Sequence, residues 1–352
     1  MVEAQFYTRT SGNKVLCHLC PRYCEIGDGQ TGFCFVRKNE SGTLYSLAYG
    51  NPYAVHIDPI EKKPLSHYLP GTRILSIGTA GCNLGCKFCQ NWDISKAKYD
   101  HERAYSFTPE VVVQTALERG CPSIAFTYND PVIWAEYAID IAKIAHAHGL
   151  KTVMVTAGYI TPEALPMVYD HMDAANVDLK GFTENFYRKT CLAHLDPVLQ
   201  TLKTLKRRGS TWFEITNLII PTLNDAPEEI RAMCAWILDN LGPEVPLHFT
   251  AFHPDFKLMH LPHTGGDILE EARLAAMDMG IHYCYVGNVH TNEGNNTYCP
   301  KCRTLLVRRT WHAVHEINLE NGRCPACGHQ IPIIESTTAQ RNIRGPMYEI
   351  LN

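Results

Sequence analysis

Arg73-Ile-Leu-Ser-Ile-Gly-Thr-Ala-Gly-Cys82-Asn-Leu-Gly-Cys86-Lys-Phe-Cys89-Gln-Asn-Trp92 joins an apolar, β-branched run to a glycine-punctuated loop carrying three cysteines. The first half reads as a buried strand. The second has the spacing C-x3-C-x2-C, and three thiolates can hold three irons of a cubane while the fourth iron stays open to a ligand. A cluster serving electron transfer alone normally takes a fourth cysteine. Zinc is the competing reading for Cys82, Cys86 and Cys89, and it fits less well, because structural zinc sites pair C-x2-C knuckles and leave no open position.

Outward from this stretch the chain alternates short β-branched or aromatic runs with helical patterns. Strands are expected at Arg73–Ile77, Ser123–Thr127, Lys151–Thr156, Ala174–Leu179, Trp212–Ile220, Leu247–Phe252 and His282–Val286. Thr108-Pro109-Glu110 offers an N-cap, a proline at the first helical position and an early acid. Ile133, Tyr137, Ile141 and Ile144 recur at helical spacing in the next helix. Repeated βα units predict an α/β fold, a partial or full (β/α) barrel, with its chemistry on loops at the C-terminal ends of the strands. The cysteine triad follows the first strand and so falls on that face. The expected division is a Cys-rich N-terminal module over 1–72, the barrel over 73–296 and a zinc-ribbon-like module over 297–352. With no low-complexity linker between them, the modules should pack on the barrel.

At 352 residues, 45% hydrophobic and 19% charged, the chain is long enough for a sizeable core, and a formal charge of -4 provides no global attraction to nucleic acid or anionic lipid. The N-terminus lacks an apolar signal region and no run of 18 apolar residues occurs, so neither secretion nor a membrane span is expected and the cytoplasm is the predicted location. In a reducing compartment, fifteen cysteines read as metal ligands or free thiols before disulfides. Cys121, Cys191, Cys234 and Cys284 stand outside the clustered sets and read as small buried hydrophobes.

Cys17-x2-Cys20-x3-Cys24-x9-Cys34 brings four thiolates to a loop with Gly27, Gly29 and Gly32. A structural zinc knot is the leading reading and an auxiliary electron-relay cluster the sharper one; spacing does not choose between them. Cys299-Pro-Lys-Cys302 and Cys324-Pro-Ala-Cys327 form paired knuckles, close to a zinc ribbon, with iron as the alternative. Lys301, Arg303, Arg308, Arg309 and Arg323 give this tail a basic excess over Glu316 and Glu320, read first as a solvated face.

The triad segment resembles the signature of radical S-adenosylmethionine (SAM) enzymes, and Gln90-Asn91 is similar to the His-Asn pair in enzymes that activate glycyl-radical enzymes, such as the pyruvate formate-lyase activating enzyme. That resemblance implies a [4Fe–4S] cluster on Cys82, Cys86 and Cys89. It also implies SAM contacts at Thr127, Asn129 and Asp130, where the family has Gly-Gly-Glu-Pro, at Thr156 and Gly158, at Asp178 and Lys180 of an Asp-Leu-Lys segment, and at His253. The whole length, with Cys17-His-Leu-Cys20-Pro-Arg-Tyr-Cys24, Tyr128-Asn-Asp-Pro131 and Tyr285-Val-Gly-Asn288, looks like the radical SAM component of the AmmeMemoRadiSam group. The implied function is an oxidoreductase that cleaves SAM reductively to a 5′-deoxyadenosyl radical, which abstracts hydrogen from a protein or peptide. Flavodoxin or ferredoxin is the expected reductant. The sequence names no catalytic side chain beyond the cofactor ligands. Modification of a small molecule or of RNA is the alternative, although no basic groove or stacking aromatic series supports nucleic acid; a non-catalytic iron–sulfur or zinc scaffold for partner proteins is the reading from another class.

Overall fold

Seven parallel strands follow one another in chain order across one sheet: β1 Arg73–Gly78, β2 Ser123–Phe126, β3 Lys151–Thr156, β4 Ala174–Asp178, β5 Trp212–Ile219, β6 Leu247–Ala251 and β7 Cys284–Gly287. The computed structural model describes residues 1–291, 293–337 and 348–351. All residues of β1 and β2 are buried, as expected of strands covered on both faces. Pairing is in step along the sheet, with Ile74 opposite Ser123, Val153 opposite Ala174, and Thr216 opposite His248.

The barrel is partial. At the β1 edge the strand Ala54–Pro59 adds antiparallel, and Glu349–Ile350 pairs with that strand in turn, while among the described residues β7 pairs only with β6. The gap between the two edges lets elements from both ends of the chain close the interior.

Six helical crossovers return the chain: α1 Pro109–Glu118, α2 Ala135–Ala147, the short α3 Leu165–Tyr169, α4 Leu195–Arg208, α5 Pro227–Leu241 and α6 Gly266–Asp278. The predicted start of α1 is present, with Thr108 Oγ1 accepting from the Val111 N–H at 3.4 Å. In α4 the apolar positions Leu195, Val198, Leu202 and Leu205 lie on one buried face, each fully buried leucine contributing roughly 1.5–3 kcal/mol. Gly209 ends this helix in the left-handed region at φ +63, where a glycine carries no Cβ penalty.

Neither flanking module swings free. In the N-terminal one, Arg37 is buried and its Nη1 donates to both Glu136 oxygens of α2 at 3.0 Å; Gln5 N–H reaches the same carboxylate at 2.7 Å. The tail forms a three-stranded antiparallel sheet from Thr297–Tyr298, Leu305–Thr310 and Ala313–Ile317. Its Cys299, Leu306, Val307 and Cys324 share a small core with Tyr283 and Tyr285 beside and on β7. Arg309 anchors it against the segment ahead of β1, donating to the Ser66 carbonyl at 2.7 Å, and braces the tail's own first strand through Thr297 Oγ1 at 2.8 Å. No described helix is long and apolar enough to cross a membrane.

Candidate functional site

The loop after β1 is shaped from below, from above and from behind. Gly81 sits at φ +81, and a Cβ there would fall 2.0 Å from the Cys34 carbonyl oxygen, so only glycine lets the N-terminal module close on the loop. Asn129, after β2, clamps its start: its amide donates to the Gly81 carbonyl at 2.8 Å and to Thr79 Oγ1 at 3.0 Å, and its oxygen accepts from Thr79 N–H and Trp134 Nε1, both at 3.2 Å. Behind the loop, Gly85 N–H donates to the Cys191 carbonyl and Lys87 N–H to the Thr190 carbonyl, both at 2.9 Å. That support is a π-helical turn over Tyr187–Cys191 ending in Leu192 at φ +52.

Held this way, Cys82, Cys86 and Cys89 share the wall of one cavity of about 780 Å³. Cys82 Sγ accepts from the Leu84 N–H at 3.4 Å, and Cys89 Sγ lies 2.9 Å from Ser95 Oγ. Burial pushes the Cys82 thiol up to about 12 and raises Cys89 as well. Cys86 moves the other way, because its sulfur accepts a hydrogen bond from Cys191 and faces Lys180. Among the described residues the triad sulfurs do not reach the mutual 4.8 Å spacing of a single-ion site. Three thiols spread along one wall, with open cavity beside them, fit a polynuclear cluster with a free coordination position better than they fit one zinc ion.

Six of the eight residues named from the resemblance as SAM contacts line the same cavity: Thr127, Asn129, Asp130, Thr156, Asp178 and Lys180. Asp130 ties β2 to β3, accepting from Thr156 Oγ1 at 2.9 Å, Val132 N–H at 3.1 Å and Ala157 N–H at 3.3 Å. Burial raises its carboxyl to about 6 against those hydrogen bonds. Lys180 Nζ meets Asp178 Oδ2 at 2.7 Å, with the side chains 16% and 31% exposed, so the pair is sheltered but open to the cavity. Burial opposes the Lys180 charge; Asp178 and Cys86 outweigh it and raise its pKa well above the usual value. Gly158 and His253 do not line the cavity. Gly158 packs at φ +64 against Val177, and His253 is exposed, its ring 6.1 Å from that of His263.

Several residues on the wall or directly behind it carried no motif. Cys191, expected as a buried hydrophobe, is buried, but its thiol serves Cys86. Inside the barrel His248 Nε2 meets Glu214 at 2.6 Å, and Glu214 also accepts from Ser66 N–H at 2.9 Å and His67 N–H at 2.8 Å. His67 continues to Tyr285 Oη at 2.6 Å, and Tyr285 to Thr297 at 2.8 Å. Near the open edge Lys62 and Lys63 flank Asp58 at 2.9 and 2.5 Å; these two lysines hold its carboxyl well below the usual range in spite of its burial. Arg309, Trp311 and His312 of the tail complete this end of the wall. The predicted basic face of the tail is therefore partly an inner surface. Alternating polar positions inside strands read as ordinary strand pattern, and the tail's approach joins residues more than 200 positions apart, which no local signal reports.

Residues 76–237 match the family described as the Radical SAM superfamily. The chain is 45% identical over 336 residues to the uncharacterized protein MJ0808 of Methanocaldococcus jannaschii, covering 95% of this chain and 100% of that protein. It is 25% identical over 194 residues to the pyruvate formate-lyase-activating enzyme of Clostridium pasteurianum, covering 52% of this chain and 76% of that one. A solved domain of the pyruvate-formate lyase-activating enzyme from Bacteroides vulgatus superposes with a TM-score of 0.41 at 16% identity, covering 47% of this chain and 98% of that domain.

Proposed function

The chain belongs to the radical SAM superfamily and is an enzyme related to the activating enzymes of glycyl-radical enzymes; from this premise we propose that it binds a [4Fe–4S] cluster on Cys82, Cys86 and Cys89, with SAM between Asp130 and the Asp178–Lys180 pair, and abstracts hydrogen from a protein or peptide. The observation that carries the reading is the convergence of the three thiols, Asp130 and Lys180 on one cavity wall. When bound, the cluster supplies the electron that splits the SAM sulfonium and releases the 5′-deoxyadenosyl radical.

The chain's own residues do the positioning. Lys180 and Asp178 offer opposite charges to a zwitterionic ligand at the end of β4, where a charge-assisted pair orients as well as attracts. Asp130 fixes the ends of β2 and β3 relative to each other, so the ligand's contacts sit on rigid strands and not on free loops. Leu84, Phe88, Val155 and Leu218 supply apolar wall that excludes water from a reactive species.

A protein or peptide substrate accords with relatives named for activating other enzymes. A small molecule is the second reading, in keeping with a cavity of about 780 Å³, within the range of roughly 300–1,000 Å³ used by small ligands. The expected reductant is a flavodoxin or ferredoxin, and the reduced thiols that the metal sites require accord with the cytoplasm.

The test is anaerobic reconstitution followed by SAM and reductant. Wild type is expected to form 5′-deoxyadenosine and Cys86→Ala to form none. Deuterium returning to 5′-deoxyadenosine from labelled cell fractions then identifies the donor: label from the macromolecular fraction supports a protein substrate, and label from the small-molecule fraction overturns it.

A further inference from the structure

Cys17, Cys20, Cys24 and Cys34 line a second, separate pocket together with Arg22, Arg37 and Asn83. The tail's cysteines provide an internal standard for a single-ion site. There Cys299–Cys327 and Cys302–Cys324 sulfurs are each 3.6 Å apart, and all four lie within 4.8 Å of one another. A tetrahedron with Zn–S distances of about 2.3 Å has edges of about 3.8 Å, so the tail is spaced for one ion. Among the described residues, the N-terminal sulfurs do not gather into such a single-ion group.

The difference is one of room as well as distance. Sulfurs at single-ion spacing touch each other and leave no void among them. The N-terminal four border a small void of about 20 Å³, about the room of one water, so their sulfurs stand apart around it. The scaffold resists collapse: Cys17 is fixed in a strand, its N–H bonded to the Cys24 carbonyl at 2.9 Å, and Cys34 is wedged against Gly81.

A second observation points to an acceptor in that pocket. Arg37 is 2% exposed. Its Nη1 is satisfied by Glu136 and its Nη2 donates to the Gln5 carbonyl, but its buried Nε–H has no protein partner. A buried donor left unpaired costs roughly 1–3 kcal/mol, and in the wall of a four-thiol pocket the missing acceptor is an anion. Metal-bound thiolates and bridging sulfides both supply such acceptors, so the donor marks a deprotonated, metal-loaded site, and the sulfur spacing is what selects a cluster over one zinc ion.

We infer that Cys17, Cys20, Cys24 and Cys34 hold an iron–sulfur cluster closed by four cysteines, in place of the zinc knot, and that it passes electrons to the triad cavity. The location is suited to that role. Arg22 Nε donates to the Asn83 carbonyl at 2.5 Å, Asn83 adjoins Cys82, and Cys34 abuts Gly81, so a single stretch of backbone separates the two sites. One electron enters from a low-potential donor protein and moves on to the triad's cluster, with no bond made or broken. The relay half rests on the function proposed above; the metal assignment does not.

The experiment uses the full-length chain with Cys82→Ala, Cys86→Ala and Cys89→Ala combined, reconstituted anaerobically and assayed for iron, inorganic sulfide, zinc and the reduced paramagnetic signal. The expected variant retains iron and sulfide, gives a reduced-cluster signal unaffected by SAM, and carries a single zinc in the tail. A variant holding two zincs and no iron overturns the assignment. Mössbauer spectra of the wild type guard against misfolding of the variant: two cluster components are expected, of which SAM alters one, and a single component refutes the second cluster. Cys20→Ser should lose SAM cleavage driven by the donor protein relative to that driven by dithionite, and an unchanged ratio overturns the relay. Wild type that cleaves no SAM, with a triple variant that still holds its cluster, would leave the metal assignment standing and remove the enzymatic reading.

Discussion

Gly81→Ala probes the contact on which both proposed metal sites depend. The substitution forces a Cβ into the left-handed region at φ +81 and sets it 2.0 Å from the Cys34 carbonyl oxygen and 3.2 Å from its carbon. Both atoms are backbone, so no rotamer change relieves the overlap and the N-terminal module must retreat. Left-handed backbone costs an alanine roughly 1–2 kcal/mol, and overpacking adds about 1–3 kcal/mol. Gly149 separates the two contributions, because it has a similar φ of +75 with nothing within 4 Å of a Cβ. Gly81→Ala should therefore be more destabilising than Gly149→Ala by about 1–3 kcal/mol. Anaerobic urea unfolding of the two variants measures that difference, and iron analysis should show metal loss in Gly81→Ala alone. Equal stabilities and equal iron would refute the idea that the module is seated on the triad loop through this contact.

His67 contributes to the pH dependence, because burial lowers its pKa to about 4 from an ordinary 6.5, as it does for His312. A depressed pKa means the unfolded chain takes the proton first as pH falls, so stability is full above about 6.5 and is lost on the way to about 4; between pH 7 and 5 the loss is about 2 kcal/mol. His67→Gln should flatten that part of the urea stability–pH curve, and an unchanged slope would show that another group titrates. Arg309→Met strips Glu61, already raised to about 7 by burial, of a counter-ion 3.7 Å away. It should destabilise the tail's attachment by roughly 1–3 kcal/mol, because Glu61 takes up a proton and the Ser66 carbonyl loses its donor, seen as faster hydrogen exchange over 297–337 with the barrel helices unaffected; protection equal to wild type would contradict the anchor. Lys180→Met should weaken SAM binding with iron content intact, as measured by equilibrium dialysis of the reconstituted protein, and unchanged affinity would return the Asp178–Lys180 pair to a purely structural role.

The strands were legible because their apolar runs are short, β-branched and separated by helical periodicity; β3 has its expected range, and the other six differ from theirs by a residue or two at their ends. The triad was legible because its ligands are local in sequence. The three-cornered support of that loop was not. Asn129 lies where the resemblance places a SAM contact, and it lines the cavity, yet its amide is occupied by Thr79, Gly81 and Trp134. Cys191 looked like any buried cysteine because its significance lies in a π-turn that presents its thiol to Cys86. The interior network of Glu214, His248, His67 and Tyr285 alternates with apolar strand residues and so reads as sheet. The tail's Arg309 and Trp311 read as surface because nothing local marks the open edge of the barrel that they cover.

In the proposed reading, SAM would bind at the open coordination position of a cluster held by Cys82, Cys86 and Cys89, beside Asp178 and Lys180. The most direct measurement is the hyperfine coupling between the reduced cluster's electron spin and the amine nitrogen of 15N-labelled SAM. A resolved nitrogen coupling is expected in the wild type, disappearing in Cys86→Ala while the N-terminal cluster's signal persists. A wild-type protein that binds SAM with no such coupling would contradict it.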